Sequence, residues 1–284
     1  MSEEAAVRVG GLRKQYGDVT AVGGIDVEIR RGEVFALLGP NGAGKTTTVE
    51  ILEGYRHRDG GTVEVLGEDP QRAGRAWRAR IGIVLQLATE AESAELTVRE
   101  MVSHFASFYP HPRDPDEVIG LVGLGAKARS RMHQLSGGQV RRLDVALGIV
   151  GDPELIFLDE PTTGFDPEAR RAFWTLIGDL SGSGTTILLT THYLDEAEAL
   201  ADRVAVIADG RIRATGAPGR LGGREARAAT VSWQEDGTRR SMQTSEPTRV
   251  VAELGARYGG EVPALTVTRP SLEDVYLELI GDEQ

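Results

Sequence analysis

The sequence predicts an α/β fold, and three observations carry that prediction. Short unbroken apolar runs, Val34-Phe-Ala-Leu-Leu38, Leu155-Ile-Phe-Leu158 and Ile187-Leu-Leu189, have the pattern of parallel strands buried on both faces. Segments with helical spacing separate these runs, as crossover connections require. Ahead of them, Val7 and Val9, then Ile25, Val27 and Ile29, alternate with polar or small residues. That alternation predicts antiparallel strands with one solvated face.

The elements follow in order along the chain. The run 34–38 leads through a glycine-rich turn into a helix over 46–53, and Ile81-Gly-Ile-Val-Leu85 reads as another buried strand. Residues 87–150 are mostly helical. There Thr97-Val-Arg-Glu100 forms a capping box ahead of Met101, Val102, Phe105 and Tyr109 at helical spacing. Asp166, with Pro167 at the first helical position, opens a further helix. The character changes after residue 218. Residues 229–233 and 262–268 read as strands around a helix carrying Val250, Val251 and Leu254, and Ser271-Leu-Glu-Asp274 opens a last helix. The expected division is a main domain over 1–218 and a small α/β domain over 219–284.

Bulk properties bound the function. At 284 residues the chain suits one large domain with an appendage, at roughly 150 residues per domain. A net charge of -11 speaks against a general nucleic-acid clamp, which carries a basic stripe, so no nucleic acid is expected as a partner. The absence of cysteine excludes disulfides, thiolate catalysis and Cys-ligated zinc, and fits a reducing compartment. The acidic start has no apolar stretch of the signal-peptide kind, and no apolar run is long enough to cross a bilayer. Any transport role therefore needs another chain in the membrane. Lysine occurs only at positions 14, 45 and 127 among 32 basic residues, a bias expected of a G+C-rich bacterial genome.

Three motifs carry chemistry. Gly39-Pro-Asn-Gly-Ala-Gly-Lys-Thr46 matches G-x-x-x-x-G-K-[ST] between a strand and a helix. Its glycines let successive N–H groups of residues such as Asn41, Gly42, Ala43, Gly44 and Thr47 turn toward phosphate oxygens, and the following helix adds its positive end. Lys45 reaches the β- and γ-phosphates and the Thr46 hydroxyl ligates Mg²⁺. In Leu155-Ile-Phe-Leu-Asp-Glu160 a buried strand ends in two carboxylates, where α/β proteins place ligands. Asp159 suits Mg²⁺, and Glu160 suits a base that orients the attacking water. Leu135-Ser-Gly-Gly-Gln139 sets a serine cap and two glycines at the start of a helix, a second anion site.

Together these motifs closely resemble the nucleotide-binding subunits of ABC transporters, over about residues 5–215 and in the family's order. The resemblance implies a P-loop NTPase cassette with an antiparallel β subdomain, a helical signature subdomain over about 87–150 and a small C-terminal α/β domain. It implies that ATP and Mg²⁺ are the cofactors and that ATP is hydrolysed. Ser136 and Gly138 would complete the ATP site of a second copy in a head-to-tail dimer. Gln86 looks like the glutamine that senses Mg²⁺ and the permease, His192 like the switch histidine on the γ-phosphate, and Tyr16 like the aromatic that stacks on adenine. Gly164-Phe-Asp166 is similar to the family's D-loop, with phenylalanine where the family has leucine.

The string Thr190-Thr-His-Tyr-Leu-Asp-Glu-Ala-Glu198 and the ending Arg269-Pro-Ser-Leu-Glu-Asp-Val-Tyr276 resemble the drug-export, daunorubicin-resistance branch. That branch pairs with an ABC-2 type permease at the cytoplasmic face of the membrane. The permease would enter a cleft near Gln86 and residues 90–109. Phe105, Phe108 and Tyr109 either line that cleft or belong to the subdomain core. The acids Glu90, Glu92 and Glu95 either meet basic permease residues or are solvated. The tail is either part of that export machinery or only a packing appendage. A non-transport ABC ATPase of ribosomes or DNA is the alternative, although neither a second cassette, a coiled-coil insertion nor a basic surface is visible. A sensor that binds ATP without hydrolysis would have no use for Glu160 and His192.

Overall fold

The computed structural model describes residues 4–84 and 95–281. Among them, β1 (Ala5–Tyr16) and β2 (Val19–Arg30) form a long antiparallel hairpin, with β4 (Gly60–Val65) on the other side of β1. A second sheet holds β3 (Val34–Leu38), β5 (Ile81–Val84), β6 (Leu155–Asp159), β7 (Thr186–Thr191), β8 (Arg203–Ala208) and β9 (Arg211–Gly216), in the order β5-β6-β7-β3-β8-β9. Its first five strands run parallel, and β9 returns antiparallel to β8.

Side chains alternate across a strand, so β3 feeds two cores at once. Phe35 and Leu37 face the antiparallel sheet, packing with Val7, Leu12, Ile25 and Ile29. Ala36 and Leu38 face the helical side, with Leu143, Leu147, Phe173 and Ile177. Neither face reaches water, which is why the run contains no polar residue. Each of the larger side chains, Phe35, Leu37 and Leu38, contributes ~1.5–3 kcal/mol by burial.

The helices are α1 (Lys45–Leu52), the short α2 (Arg75–Arg78), α3 (Val98–Ala106), α4 (Pro115–Leu121), α5 (Gly137–Ile149), α6 (Pro167–Gly182) and α7 (Leu194–Leu200). Thr97 and Glu100 form the reciprocal cap expected of α3, and Asp166 accepts from Ala169 N at 2.8 Å to start α6. Helix α3 stops at Ala106, so Tyr109 lies beyond it rather than on its last turn. The chain turns there, with Phe108 N bonded to Phe105 O and Tyr109 N to Ala106 O. The Tyr109 ring then lies over Gly151, where an added Cβ would stand 2.4 Å from the ring.

The C-terminal part holds β10 (Ala229–Glu235), β11 (Thr238–Thr244) and β12 (Thr266–Thr268), in the order β11-β10-β12, with α8 (Pro247–Tyr258) packed through Leu254 on Val231 and Trp233. The strand expected over 262–268 is confined to its last three residues, while Val262 fills the small core from a loop. Strand β11 is polar apart from the exposed Met242, and its pairing with β10 rather than any apolar period holds it. Helix α9 (Leu272–Gly281) leaves this sheet and returns to the main domain. Its Leu272 and Val275 are buried in the large core beside Leu221. Among the described residues no helix is long and apolar enough to cross a membrane.

Candidate functional site

Strand β3 ends at Leu38, and the loop 39–44 connects it to α1. Two glycines there are steric necessities. A Cβ on Gly39 would lie 2.3 Å from Ile207 O, and one on Gly44, at φ 103°, would lie 2.4 Å from Ala21 O. Gly42 takes a positive φ in open space, so its need is conformational. The β8–β9 turn braces the loop from behind. Asp209 and Gly210 both have positive φ, the combination a tight hairpin turn demands, and Gly210 N donates to Ala43 O at 3.1 Å.

Lys45 is the first residue of α1 and is buried, with Nζ donating to Gly39 O at 2.7 Å and Pro40 O at 3.1 Å. Burial lowers its pKa, and the charges of Glu160 and Asp159 oppose that shift. An ammonium held this way is desolvated and has room for an anion that would replace the carbonyls.

Asn41, Gly42, Gly44, Lys45, Thr46, Thr47, Asp159 and Glu160 line a single cavity of about 470 Å³, joined by Ala21 of β2. Gly39 and Ala43 shape its loop from beneath. Asp159, at the end of β6, accepts from the Thr190 hydroxyl of β7. Glu160 follows at φ 43°, a left-handed conformation rare for a side chain of this size. Its N–H is fixed by Thr190 O at 3.1 Å and Thr190 Oγ1 at 3.1 Å, so β7 aims both acids. His192 brings Nδ1 to 3.2 Å from Glu160 Oε1.

Other expected site residues lie elsewhere. Tyr16, at the end of β1, is half-exposed outside the cavity lining, with Lys14 and Arg56 cations 5.4 and 5.3 Å from its ring centre. Ser136 caps α5 in a reciprocal bond with Gln139, and with Gly138 it stands away from this chain's own cavity. Gln86, with Glu90 and Glu92, lies outside the described residues. Glu95 is exposed and pairs with Arg131 at 2.5 Å. Phe165 of the D-loop-like turn packs edge-on against Phe173, with ring centres 5.9 Å apart.

Arg141 was not legible as a site residue. It is buried on α5 and donates to Asp159 O at 2.9 Å and Pro161 O at 3.0 Å, tying the Ser136 helix to the loop bearing both acids. An arginine among the apolar positions of a helix was the available signal.

A second cavity, of about 540 Å³, opens between α1, β5, α3 and α5, with Phe105 and Tyr109 in its wall. Both side chains also pack against the core, so they wall this cavity and belong to the subdomain core at once. Phe108 is exposed and borders an adjoining pocket with Arg75 and Arg78. Glu53, at the end of α1, stands in this cavity with its pKa pushed up to about 7, first by burial and then by the charges of Asp159 and Glu50. Its folded pKa exceeds the ordinary carboxylate value, so its contribution to stability is fully present below about pH 4.5 and is lost as pH rises through 7. Glu53→Gln is therefore expected to match the wild type in urea unfolding at pH 4.5. At pH 8 it should be the more stable by on the order of 1–3 kcal/mol. Equal stability of the two at both pH values would contradict the raised pKa.

The cavity suits a nucleotide with its metal. A glycine cradle closed to a Cβ at Gly39 and Gly44, a buried lysine and a helix start serve phosphates. The Thr46 hydroxyl and Asp159 carboxylate are hard oxygen donors, as Mg²⁺ requires. No group of three or more His, Cys, Asp or Glu able to hold a metal occurs among the described residues. Mg²⁺ ordinarily takes one or two carboxylates together with phosphate oxygens and waters, so the donors fit a metal that arrives with the nucleotide.

Comparison with known proteins identifies the family. The chain matches the family described as ABC transporter over residues 22–163. It is 36% identical over 309 residues to the daunorubicin resistance ATP-binding protein DrrA3 of Streptomyces coeruleorubidus, covering 99% of this chain and 98% of that one. It is 42% identical over 223 residues to the Nod factor export ATP-binding protein I of Paraburkholderia xenovorans, covering 77% of this chain and 73% of that one. Among solved structures, an ATP binding subunit of an ABC transporter superposes with a TM-score of 0.71 at 22% identity, covering 96% of this chain and 99% of that one, a likeness of fold. A family match across half the chain and a relative similar along nearly all of it lead to one conclusion: the chain belongs to the ABC transporter family, as one of its ATP-binding proteins.

Proposed function

We propose that this chain binds and hydrolyses ATP to drive a separate membrane permease, in an exporter of a drug-like or lipid-like substrate. The observation that carries the reading is the convergence of the glycine cradle, Lys45, Asp159 and Glu160 on one cavity, with His192 against Glu160. Resistance and Nod factor export, in the names of the two relatives, support the direction of transport.

The loop 39–47 holds the phosphates, and Lys45 exchanges its two carbonyl partners for phosphate oxygens. Tyr16 offers its outer face to adenine. Thr46, Asp159 and Gln86 are the residues that would hold Mg²⁺, which when bound neutralises charge on the phosphates. Glu160 orients a water and accepts its proton, while His192, tethered to Glu160, reaches the γ-phosphate. Ser136 and Gly138 point away from their own cavity, so they serve the site of a second copy in a two-fold, head-to-tail dimer. Arg141 couples that surface to the acids of its own chain. The cavity bearing Phe105 and Tyr109 receives a cytoplasmic helix of the permease, which places the chain at the cytoplasmic face of a bacterial membrane. An ABC-2 type permease fits the resemblance to the export branch. In the tail, α9 belongs to the main domain by its packing, and the sheet β10–β12 with α8 forms the accessory unit.

Affinity purification of the chain from detergent-solubilised native cells is expected to bring down a polytopic membrane protein at near-equal stoichiometry. Recovery of ribosomal proteins or DNA-repair factors, with no membrane protein, would leave the ATPase chemistry standing and overturn the transport reading.

A further inference from the structure

The cavity of about 540 Å³ is lined by Glu53, Tyr55, Arg78, Phe105, Tyr109 and Asp144 among others, and two of its charged groups, Glu53 and Arg78, have no ion-pair partner among the described residues. Glu50, one turn earlier on α1, is paired with Arg56 at 2.5 Å, and Asp144 faces Arg141 at 3.6 Å. The Glu53 carboxylate has no hydrogen-bond or ion-pair partner among the described residues, and the charges acting on it most, Asp159 and Glu50, are both negative. The sequence of residues 85–94, Leu-Gln-Leu-Ala-Thr-Glu-Ala-Glu-Ser-Ala, contains no lysine, arginine or histidine. Glu53 also sits at the C-terminal end of α1, where the backbone dipole itself favours a positive charge. Arg78 of α2 also lines this cavity, and Arg75 and Arg78 border the adjoining pocket with Phe108; both arginines are exposed, without an acidic partner among the described residues. Aromatic side chains share these two pockets: Tyr55 and Phe108 are exposed, and His104, Phe105 and Phe108 interlock edge-on.

We propose that Glu53 is the charge anchor of this cleft, pairing with a lysine or arginine on the permease's docking helix, while Arg75 and Arg78 meet an acid farther along the same helix. The proposal rests on the reading that the chain drives a permease, and adds to it the feature by which the cassette selects its partner. A helix with an apolar face for the aromatics, a cation for Glu53 and an acid for the α2 arginines complements these unpaired charges. The pairing has a mechanical consequence. Lys45 begins α1 and Glu53 closes it, so one rigid helix joins the phosphate loop to the permease contact. An arriving cation also favours the ionised form of Glu53, which burial and then the charges of Asp159 and Glu50 oppose.

The test uses the full-length tagged chain expressed in its native cells, with wild type, Glu53→Gln, Glu53→Asp and Glu53→Lys compared. The ratio of permease to cassette in detergent extracts is measured by quantitative mass spectrometry. Glu53→Gln is expected to lower that ratio at least about tenfold and Glu53→Lys to abolish recovery, because an unpaired or like charge in a closed contact is costly. Glu53→Asp should retain a substantial share. Cooperative unfolding of the isolated variants, with Glu53→Gln at least as stable as wild type, and an ATPase rate within about twofold of wild type separate lost docking from lost folding. A compensating acid at the permease cation should restore recovery with Glu53→Lys. Wild-type recovery by a folded Glu53→Lys variant would overturn the charge anchor and leave the transport reading intact. Failure of the wild-type chain to recover any membrane protein would overturn the transport reading itself, and the anchor with it.

Discussion

Glu160→Gln is expected to bind ATP as the wild type does while its steady-state hydrolysis falls by about 10²–10⁴-fold, the loss of a general base. The amide preserves the shape of the side chain and the tether to Thr190, which runs through the backbone N–H. It removes the one oxygen charge placed to take a proton from water. It also weakens the contact with His192 Nδ1, now 3.2 Å from Oε1, so the histidine loses the neighbour that positions it. Phosphate release reports the chemistry, and size-exclusion chromatography with ATP reports the association. An ATP-stabilised dimer that barely hydrolyses is the expected pair of results. Hydrolysis at the wild-type rate would assign the base elsewhere.

Lys45→Ala is expected to weaken ATP binding by at least about 100-fold, since each charge-assisted hydrogen bond to a phosphate contributes about 1.5–3 kcal/mol. The buried ammonium is the cation nearest Asp159 and Glu160 that the cavity lining supplies, and without it two carboxylates face a polyphosphate alone. Titration calorimetry with ATP reads the loss directly. Chain folding is the necessary control, because Lys45 also satisfies Gly39 O and Pro40 O. Normal affinity in a folded Lys45→Ala variant would remove the loop 39–46 from the nucleotide site.

The local chemistry was legible because it is written in contiguous residues. A loop of successive N–H groups, a strand ending in two acids and a capped helix start each fit within about eight positions, so spacing alone determines what each can contact. The buried strands were legible for a related reason: a strand covered on both faces tolerates no polar residue, and the exclusion shows as an unbroken apolar run. The caps at Thr97, Ser136 and Asp166 were visible in the same way, since a cap joins residues two or three apart.

What escaped was long-range. The Asp209-Gly210 turn lies far along the chain from the loop it braces, and nothing in its sequence names Ala43 as its partner. Polar β11 has no apolar period to announce it, and exists because β10 offers it a ladder. The last helix reads as part of the tail, yet Leu272 and Val275 bury themselves against the main domain. Arg141 and Glu53 have ordinary sequence neighbours, and only the packing that removes them from water gives one its carbonyl partners and the other its raised pKa. The sequence by itself determined which groups the protein brings to phosphate chemistry, because those groups act within one turn of chain. Tertiary structure alone decided which surfaces stay unbalanced and open, because charge compensation and burial depend on neighbours brought from distant parts of the chain.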